Sequence, residues 1–352
     1  MDRRVRAAEM QECFPPFDVS DLEFMQLPDL RARRIGTNEQ TQISYSTLQD
    51  NTSVVTELFF LGFQVSHVLR ISLFCLFLVA YCLIIYGNLL IIVLVSTSRN
   101  LHTPMYFFIS QLSVSDILLT TDIVPNMLYV LLNNGGTITF IGCITQFYFF
   151  CVSEAFECLL LTVMSYDRYV AICDPLRYPT IMTSGRCVKL ITMCWLFGFS
   201  IMLIYTVTTA MLDYCGPNII DHVFCDLVPL LEIACSGTFM VDLEVYLLSL
   251  PIVFIPTIII VVSYTYIVIT VLRIPSSTGR QKAFSTCSSH LIVVAIFYWT
   301  IFSVYVVPTN TKTPTISKIL SLLYTVLTPL LNPIIYSLRN KDIKKALQKY
   351  IT

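Results

Sequence analysis

Seven long apolar segments, separated by short polar ones, dominate the chain from residue 70 onward. A helix that crosses about 30 Å of hydrocarbon needs about 20 mostly apolar residues. The segments lack the strict alternation of β-barrel strands, and proline, glycine, asparagine or charged residues bound each of them. We number them spans 1 to 7: residues 71–95, 105–132, 143–165, 188–211, 243–272, 291–307 and 316–338. The pattern predicts an all-α membrane protein, a seven-transmembrane helix bundle over residues 70–338.

The basic residues of the short loops predict the orientation of the bundle, because cytoplasmic loops carry an excess of Lys and Arg. The loops after spans 1, 3, 5 and 7 hold twelve of them: Arg99, Arg177, Arg186, Lys189, Arg273, Arg280, Lys282, Arg339, Lys341, Lys344, Lys345 and Lys349. The opposite loops hold Lys312 and Lys318. We therefore expect the N-terminus outside and the C-terminus inside. The glycosylation sequon at Asn51 falls on the predicted outside.

The two ends of the chain differ from the bundle. Residues 1–50 combine arginines, acidic residues and paired prolines without an apolar core, so they are not a signal peptide. We interpret residues 1–69 as an extracellular tail. Its first 50 residues are either disordered or upstream of the true start, with Met10 and Met25 as alternative starts. Residues 339–352 carry lysines on one helical face and apolar residues on the other. This pattern predicts a short cytoplasmic amphipathic helix on the inner leaflet, with a solvated tail as the alternative.

Composition narrows the function classes. Of 352 residues, 55% are hydrophobic and 13% are charged, whereas soluble domains average about 45–50% and about 25%. A chain this apolar cannot cover a water-facing surface, which excludes a large soluble enzyme. The net charge of −1 argues against nucleic-acid binding. The four histidines are too far apart for a paired-histidine zinc site, and no phosphate-binding glycine motif occurs. We therefore expect no enzyme.

The cysteines fall into different environments. Eight of the 13 lie inside spans or face the cytosol. Four are predicted outside: Cys143 at the outer end of span 3, and Cys215, Cys225 and Cys235 in the long loop after span 4. Spacing alone leaves three pairings open. We expect two disulfides in the oxidising exterior, one of which ties the loop to span 3 over the mouth of the bundle.

Ionisable residues inside the spans are candidates for function, because burying them in a bilayer is costly. Asp116 lies in the middle of span 2, and Glu157 lies in the middle of span 3 with Glu154 one turn above it. A Na⁺ ion between Asp116 and Glu157 would relieve their repulsion. The alternative is protonated carboxylates hydrogen-bonded to nearby polar side chains: Ser113, Ser153 or Asn332.

Arg168 follows Asp167 at the inner end of span 3. From the residues alone, the plain interpretation is an ion pair at the membrane interface. Pro251 and Pro256 in span 5 and Pro333 in span 7 free backbone groups, and they mark either hinges or packing irregularities.

Four sequence runs occur in order on these elements: PMYFF through LSVSD at 104–116, MSYDRYVAIC at 164–173, KAFSTCSSH at 282–290 and NPIIY at 332–336. Together they resemble the vertebrate olfactory receptors, a family of rhodopsin-like G-protein-coupled receptors. The resemblance covers residues 51–352. It implies a plasma-membrane receptor that binds a small odorant from outside, activates a heterotrimeric G protein of the stimulatory (olfactory) type and raises cyclic AMP. Membrane lipid is the other expected partner, and nucleic acid is not one.

The resemblance also implies roles for individual residues. Its disulfides would be Cys143–Cys225 and Cys215–Cys235. Asp116 and Glu157 match the family's sodium-site pair, and no cofactor is implied apart from that structural Na⁺. Arg168 would release Asp167 on activation and open an inner cleft for the G protein. The coupling residues that it implies are Asp167, Arg168, Tyr169, Tyr264, Lys282, Asn332, Pro333 and Tyr336.

The ligand pocket is expected between the outer halves of spans 3, 5, 6 and 7, under the loop. Helical spacing predicts an inward-facing set: Phe147, Phe150, Cys151, Glu154, Ala155, Ser249, Ile252, Tyr298, Ile301, Phe302, Tyr305, Leu322 and Thr325. Mostly apolar walls suit a small hydrophobic ligand. For each aromatic residue, plain helix packing is the alternative.

Two residues depart from the family pattern. Trp299 follows Tyr298 where the family usually has glycine, and it either narrows the pocket or faces lipid. Glu154 stands where the family more often has a small residue. We hypothesise that Glu154 favours amines or other strong hydrogen-bond donors, and the alternative is a protonated Glu154 coupled to Glu157.

Two other functions remain open at this point. Intramembrane carboxylates also mark channels and transporters, although the spans show no internal repeat. A chemoreceptor for an endogenous metabolite, expressed outside olfactory tissue, would share the mechanism of an odorant receptor.

Overall fold

The computed structural model describes residues 55–215, 217–305, 314–339 and 341–351. The predicted tail over residues 1–50 and the glycosylation site at Asn51 lie outside the described residues. Seven long helical segments occupy the positions of the predicted spans. Spans 1 to 4 and 6 are His67–Thr97, Pro104–Asn133, Phe140–Cys173, Ser184–Ala210 and Ser277–Tyr305. Span 5 is Phe239–Ser249, Leu250–Phe254 and Ile255–Leu272, and span 7 is Pro314–Leu322, Leu323–Leu327 and Thr328–Arg339.

The helices have the length and surface of membrane helices. Within the described ranges, six are long and apolar enough to cross a bilayer, and span 6 adds the shorter apolar segment Cys287–Ser303. Large apolar side chains cover the outside of the bundle, such as Leu76 and Leu196, each 60% exposed. In water such a surface would be unfavourable, whereas in lipid it is the expected one. The predicted seven-helix membrane fold is confirmed.

Local sequence explains where several helices begin and end. Span 2 begins with Pro104, whose missing N–H is not needed in the first turn. It ends before Asn134, which adopts a left-handed conformation with φ 56°. Span 3 is capped by Thr139, whose hydroxyl oxygen accepts the backbone N–H of Gly142 at 3.1 Å. Span 6 begins at Ser277, well before the predicted start at 291, because its polar cytoplasmic stretch is helical as well.

Spans 5 and 7, in which prolines predict hinges or packing irregularities, each contain a π-helical turn. In span 5 this turn is Leu250–Phe254 and includes Pro251. In span 7 it is Leu323–Leu327, and Pro333 lies inside the regular helix that follows. The π-helical turn of span 7 therefore lies before Pro333 and does not contain it. Pro333 instead packs against Gly87 of span 1, where a Cβ atom would lie 3.2 Å from the proline ring.

A small sheet covers one end of the bundle, which we call the outer end; the opposite end is the inner end. Strand β1 (Glu57–Phe60) pairs antiparallel with β2 (Gly136–Thr139) and parallel with β3 (Ile219–Ile220). Leu58 and Phe60 of β1 are fully buried, while the alternate residues are exposed. The sheet therefore joins the segment before span 1 to the loops after spans 2 and 4.

The predicted C-terminal helix is present as Lys341–Ile351. Ile343 is buried and Lys344 and Lys345 are exposed, as an amphipathic helix requires. Asp342 accepts a hydrogen bond from the hydroxyl of Tyr106 in span 2 at 3.2 Å. The helix is thus attached to the inner end of the bundle.

Candidate functional site

The loop after span 4 is fixed to span 3 over the outer end. A disulfide joins Cys143 to Cys225, and a second joins Cys215 to Cys235 within the loop. Gln146, one turn into span 3, accepts the backbone N–H of Cys225 at 3.0 Å. Its amide nitrogen donates to a backbone carbonyl of span 2 at 2.8 Å. Of the three pairings that spacing left open, the structure has the one that the family resemblance implied.

Polar contacts fix the same loop to span 7. Lys318 is 3% exposed, and its ammonium group donates to the carbonyl of Gly62 at 2.7 Å and pairs with Asp221 at 2.5 Å. His222 approaches the hydroxyl of Ser321 at 3.3 Å. Burial lowers the pKa of His222 to about 4, so this imidazole is neutral at physiological pH. Span 7, the loop and the segment before span 1 therefore meet in one closed cap.

An aromatic group lies beneath the cap. The ring of Phe150 in span 3 lies 5.6 Å from Phe224 of the loop and 5.7 Å from Tyr324 of span 7. The hydroxyl of Tyr324 donates to the loop carboxylate of Asp226 at 3.5 Å. Burial raises the pKa of Asp226 to about 6. The loop therefore contributes apolar and acidic groups to the interior.

The structure places most predicted pocket residues inside the bundle. Five are buried: Phe147, Phe150, Ala155, Ile252 and Thr325. Six are half-buried: Cys151, Glu154, Ser249, Tyr298, Ile301 and Leu322. The side chain of Tyr305 lies outside the described residues. Burial is compatible with helix packing as well as with ligand contact, so the pocket itself stays a prediction.

The expected inward position of Phe302 is wrong. Its side chain is 53% exposed, and Trp299, one turn earlier, is 69% exposed. Residues three apart share a helical face, so both lie on the lipid-facing side of span 6. Tyr298 and Ile301 lie on the adjacent side of the helix, which is half-buried. Of the two alternatives for Trp299, the structure has the outward one.

Glu154 is a half-buried acid with one buried carboxylate oxygen that lacks a partner. Its Oε1 atom has no hydrogen-bond partner and no access to solvent. Glu157 of the same helix and Asp226 of the loop are both close enough to act on it electrostatically. Three acidic groups therefore share this interior, and their mutual repulsion favours a proton or a cation among them.

Asp116, Glu157 and Asn332 meet at the middle of the bundle. All three are at most 3% exposed. The amide nitrogen of Asn332 donates to both carboxylate oxygens of Asp116 at 3.1 Å. Glu157 Oε1 is buried without a hydrogen-bond partner. Among the described residues, no three His, Cys, Asp or Glu side chains are grouped so as to hold a metal ion.

The inner end of span 3 is held by a buried ion pair. Arg168 and Asp167 are 8% and 0% exposed, and the guanidinium group donates to Asp167 Oδ2 through both Nε and Nη2. The hydroxyl of Tyr178, in the one-turn helix Tyr178–Ile181, donates to the other oxygen of Asp167 at 2.9 Å. Both carboxylate oxygens are therefore occupied, and the arrangement closes this end of the bundle.

The remaining coupling residues lie around this ion pair or on the neighbouring spans. Tyr264 of span 5 contacts His290 of span 6 through its hydroxyl at 2.5 Å. Tyr336 is 1% exposed, and its hydroxyl has no hydrogen-bond partner. Tyr169 is half-buried with its ring 6.0 Å from that of Tyr266 in span 5. The side chain of Lys282 lies outside the described residues.

Two buried polar contacts at the ends of the bundle were not predicted from the sequence. Tyr178 carries no signal of its own, because a tyrosine in a short inner loop is common and its partner lies eleven residues away. Lys318 was noted only for its charge. A lysine among acidic outer loops is a signal for an ion pair, but its partner Asp221 is 97 residues distant.

Comparison with known proteins agrees with this architecture. The family model described as olfactory receptor matches residues 74–352. Human olfactory receptor 11L1 (Homo sapiens) is 46% identical over 85% of this chain and 93% of its own length. Olfactory receptor 10A7 (Homo sapiens) is 44% identical and olfactory receptor 6B9 (Mus musculus) is 43% identical, each over 86% of this chain and 96% of the relative. The chain belongs to the olfactory receptor family.

Proposed function

We propose that this chain is an odorant receptor of the plasma membrane, with its N-terminus outside and its C-terminus in the cytosol. It binds a small, mostly apolar molecule within the outer half of the bundle and activates a G protein of the stimulatory, olfactory type, which raises cyclic AMP. Its family consists of receptors and not of enzymes. The observation that carries the proposal is that span 3 runs from the disulfide-tied cap, past the aromatic interior, to the closed Asp167–Arg168 pair.

The ligand occupies the space under the cap. Phe150 and Phe224, whose rings pack together beneath the cap, would supply apolar walls, and Tyr298 and Ile301, which are half-buried in span 6, would complete them. A concave, mostly apolar site with few polar groups favours a small hydrophobic ligand, oriented by one or two hydrogen bonds.

Glu154 gives this site a preference for amines. Its buried Oε1 lacks a partner, and a protonated amine would supply both the hydrogen bond and the missing positive charge. The test compares responses to cyclohexylamine and cyclohexanol in the parent and in Glu154→Gln, with the exposed loop acid Glu232→Gln as the matched control. The EC50 for the amine should rise about tenfold in Glu154→Gln, as the loss of a charged hydrogen bond predicts. Equal EC50 values for the amine in the parent and in Glu154→Gln would contradict the proposed role of Glu154.

A Na⁺ ion balances the carboxylates at the middle of the bundle. Asp116 and Glu157 would supply its charged ligands, and the buried unpartnered Oε1 of Glu157 fits that role. The ion would supply positive charge only. Removing Na⁺ should then change basal signalling in the parent and leave Glu157→Gln unaffected.

Signal transfer is a shift between two arrangements of the bundle. A ligand acts only if it binds the coupled arrangement more tightly than the closed one. Opening the inner end requires Arg168 to leave Asp167, and it frees the region around Tyr264 and Tyr336 for the G protein. The coupling is reciprocal, so bound G protein should raise ligand affinity.

One experiment tests the function as a whole. Cells that express the tagged full chain are labelled at the surface and then exposed to the amine and alcohol probes while cyclic AMP is recorded. A ligand-dependent rise that is lost in Arg168→Ala at equal surface density supports the receptor mechanism. Ligand-gated currents without a change in cyclic AMP would instead indicate a channel.

A further inference from the structure

A cavity of about 390 Å³ lies between the inner ends of spans 5 and 6, away from the odorant site. Buried side chains of Ile267 and Val271 form its floor. Its rim consists of Val268, Leu272 and Leu291, which are 45%, 66% and 41% exposed. A volume in this range suits a small molecule or part of a larger one.

The cavity opens towards the bilayer. Exposed apolar side chains of a membrane helix face lipid, and three such side chains surround the opening. An acyl chain can therefore enter from the side without crossing water. An acyl chain that enters gives up apolar contacts with other lipid tails and gains similar contacts with the floor of the cavity. Its affinity therefore depends on its shape and on the groups that hold the head of the molecule.

The cytoplasmic end of the cavity is basic. Arg280 and Gln281 line it and are exposed, and Arg280 lies seven residues before the apolar part of span 6 begins at Cys287. Seven helical residues correspond to about 10 Å, which places Arg280 near headgroup depth. Arg273, at the end of span 5, is exposed on the same side. None of the described residues that line the cavity is acidic.

We propose that this cavity binds an anionic lipid of the inner leaflet, with one acyl chain between spans 5 and 6 and the headgroup at Arg280. Charge complementarity selects the occupant, because basic pockets between membrane helices on the cytoplasmic side attract anionic headgroups. The proposal concerns regulation and does not depend on the identity of the odorant.

The position of the cavity gives the lipid a regulatory effect. Tyr264 lines the cavity and contacts His290 of span 6, and the same structure holds Arg168 closed on Asp167. A lipid that binds this arrangement more tightly than the coupled one stabilises it, and we expect that preference because the cavity is a feature of the closed structure. Anionic lipid should therefore lower the basal activation of the G protein.

The test uses the purified full chain in nanodiscs of phosphatidylcholine with a photoreactive phosphatidylserine, and crosslinks are mapped by mass spectrometry. Two variants alter the site: Arg280→Gln removes the basic contact, and Leu291→Trp fills the rim at a half-exposed position. Their matched controls are Arg99→Gln, an exposed inner-loop arginine, and Val261→Trp, an exposed position on the outward face of span 5.

We expect crosslinks at the cavity in the parent and in both controls. Arg280→Gln should reduce them about fivefold, the effect of one basic residue at an anionic surface, and Leu291→Trp should abolish them. Nucleotide exchange on the G protein should fall when phosphatidylserine is added to the parent, and this fall should be smaller in Arg280→Gln and absent in Leu291→Trp. Equal crosslinking by a photoreactive phosphatidylcholine, or labelling that both site variants retain, would overturn the proposal. Neither result would affect the odorant-receptor function, which the cyclic AMP experiment tests separately.

Discussion

The hydroxyl of Tyr178 should hold the inner end of the receptor closed, and Tyr178→Phe removes that hydroxyl alone. It donates to Asp167 at 2.9 Å, on the carboxylate oxygen that Arg168 leaves free. Asp167 is fully buried, so the oxygen would find no water in exchange. The ring of Tyr178 stays in place, which keeps the packing of the inner loop.

The size of the effect follows from the type of bond. A hydrogen bond to a charged group contributes about 1.5–3 kcal/mol, and the half-buried position of Tyr178 favours the lower end. If the bond exists only in the closed arrangement, its loss shifts the balance towards the coupled arrangement by about 1.5 kcal/mol. That is about a tenfold rise in the coupled fraction while this fraction is small.

Basal nucleotide exchange on a stimulatory-type G protein measures that fraction without a ligand. We expect Tyr178→Phe to exchange about tenfold faster than the parent at equal receptor density. Tyr166→Phe is the control, because Tyr166 lies on the outward side of span 3 with 40% of its surface exposed. Unchanged basal exchange in Tyr178→Phe would refute the reasoning, and so would an equal rise in both variants.

Three further predictions concern the cap and the middle of the bundle. Cys143→Ser removes a disulfide that closes a loop of 82 residues, and Cys215→Ser removes one that closes a loop of 20. The expected losses in the free energy of unfolding are about 4–5 kcal/mol and about 3 kcal/mol, so surface labelling should fall more in Cys143→Ser. The pKa of His222 in the folded protein is about 4, so its contribution to the free energy of unfolding falls as the pH drops from 6.5 to 4. The pKa of Asp226 in the folded protein is about 6, so its contribution to the free energy of unfolding rises as the pH drops from 6 to 4. Relative to the parent, the melting temperature of His222→Asn should therefore be higher at pH 4 than it is at pH 7, and that of Asp226→Asn should be lower; differences from the parent that do not change with pH would contradict this. Asn332→Ala removes both hydrogen bonds that Asn332 donates to the buried carboxylate of Asp116. The free energy of unfolding should fall by about 2 kcal/mol, which lowers the melting temperature in detergent. An unchanged melting temperature would contradict this, because it would mean that the carboxylate has other hydrogen-bond partners.

The helices of this fold were predictable because a bilayer demands a simple pattern. Every span needs a long apolar run, and the run is visible in the sequence without knowledge of its neighbours. The ends were less predictable, since a polar cytoplasmic stretch such as the start of span 6 at Ser277 can stay helical outside the apolar run. The π-helical turn Leu323–Leu327 contains no proline, but Pro329 follows it and lacks the N–H that would bond the carbonyl of Thr325 in the turn, so the sequence carried a signal that the prediction did not use.

Facing directions were predictable only in part. Helical spacing says which residues share a face, but not which face points inward when both are apolar. Tyr298 and Phe302 are both aromatic and lie one turn apart, and only packing decides that the first is half-buried and the second 53% exposed. In a soluble helix, polar residues would mark the outward face, whereas in a membrane helix the outward face is as apolar as the inward one.

The absence of a polarity difference between lipid and core also makes the buried polar contacts the most specific contacts of the bundle. Apolar side chains can pack almost anywhere in a membrane bundle, whereas a buried polar group needs a specific partner. The partners of Lys318 and Asn332 lie 97 and 216 residues away, so spacing along the chain could not identify them. These contacts join the cap to span 7 and span 7 to span 2. We therefore expect substitutions at these buried polar groups to alter signalling more than substitutions of the apolar side chains of the bundle.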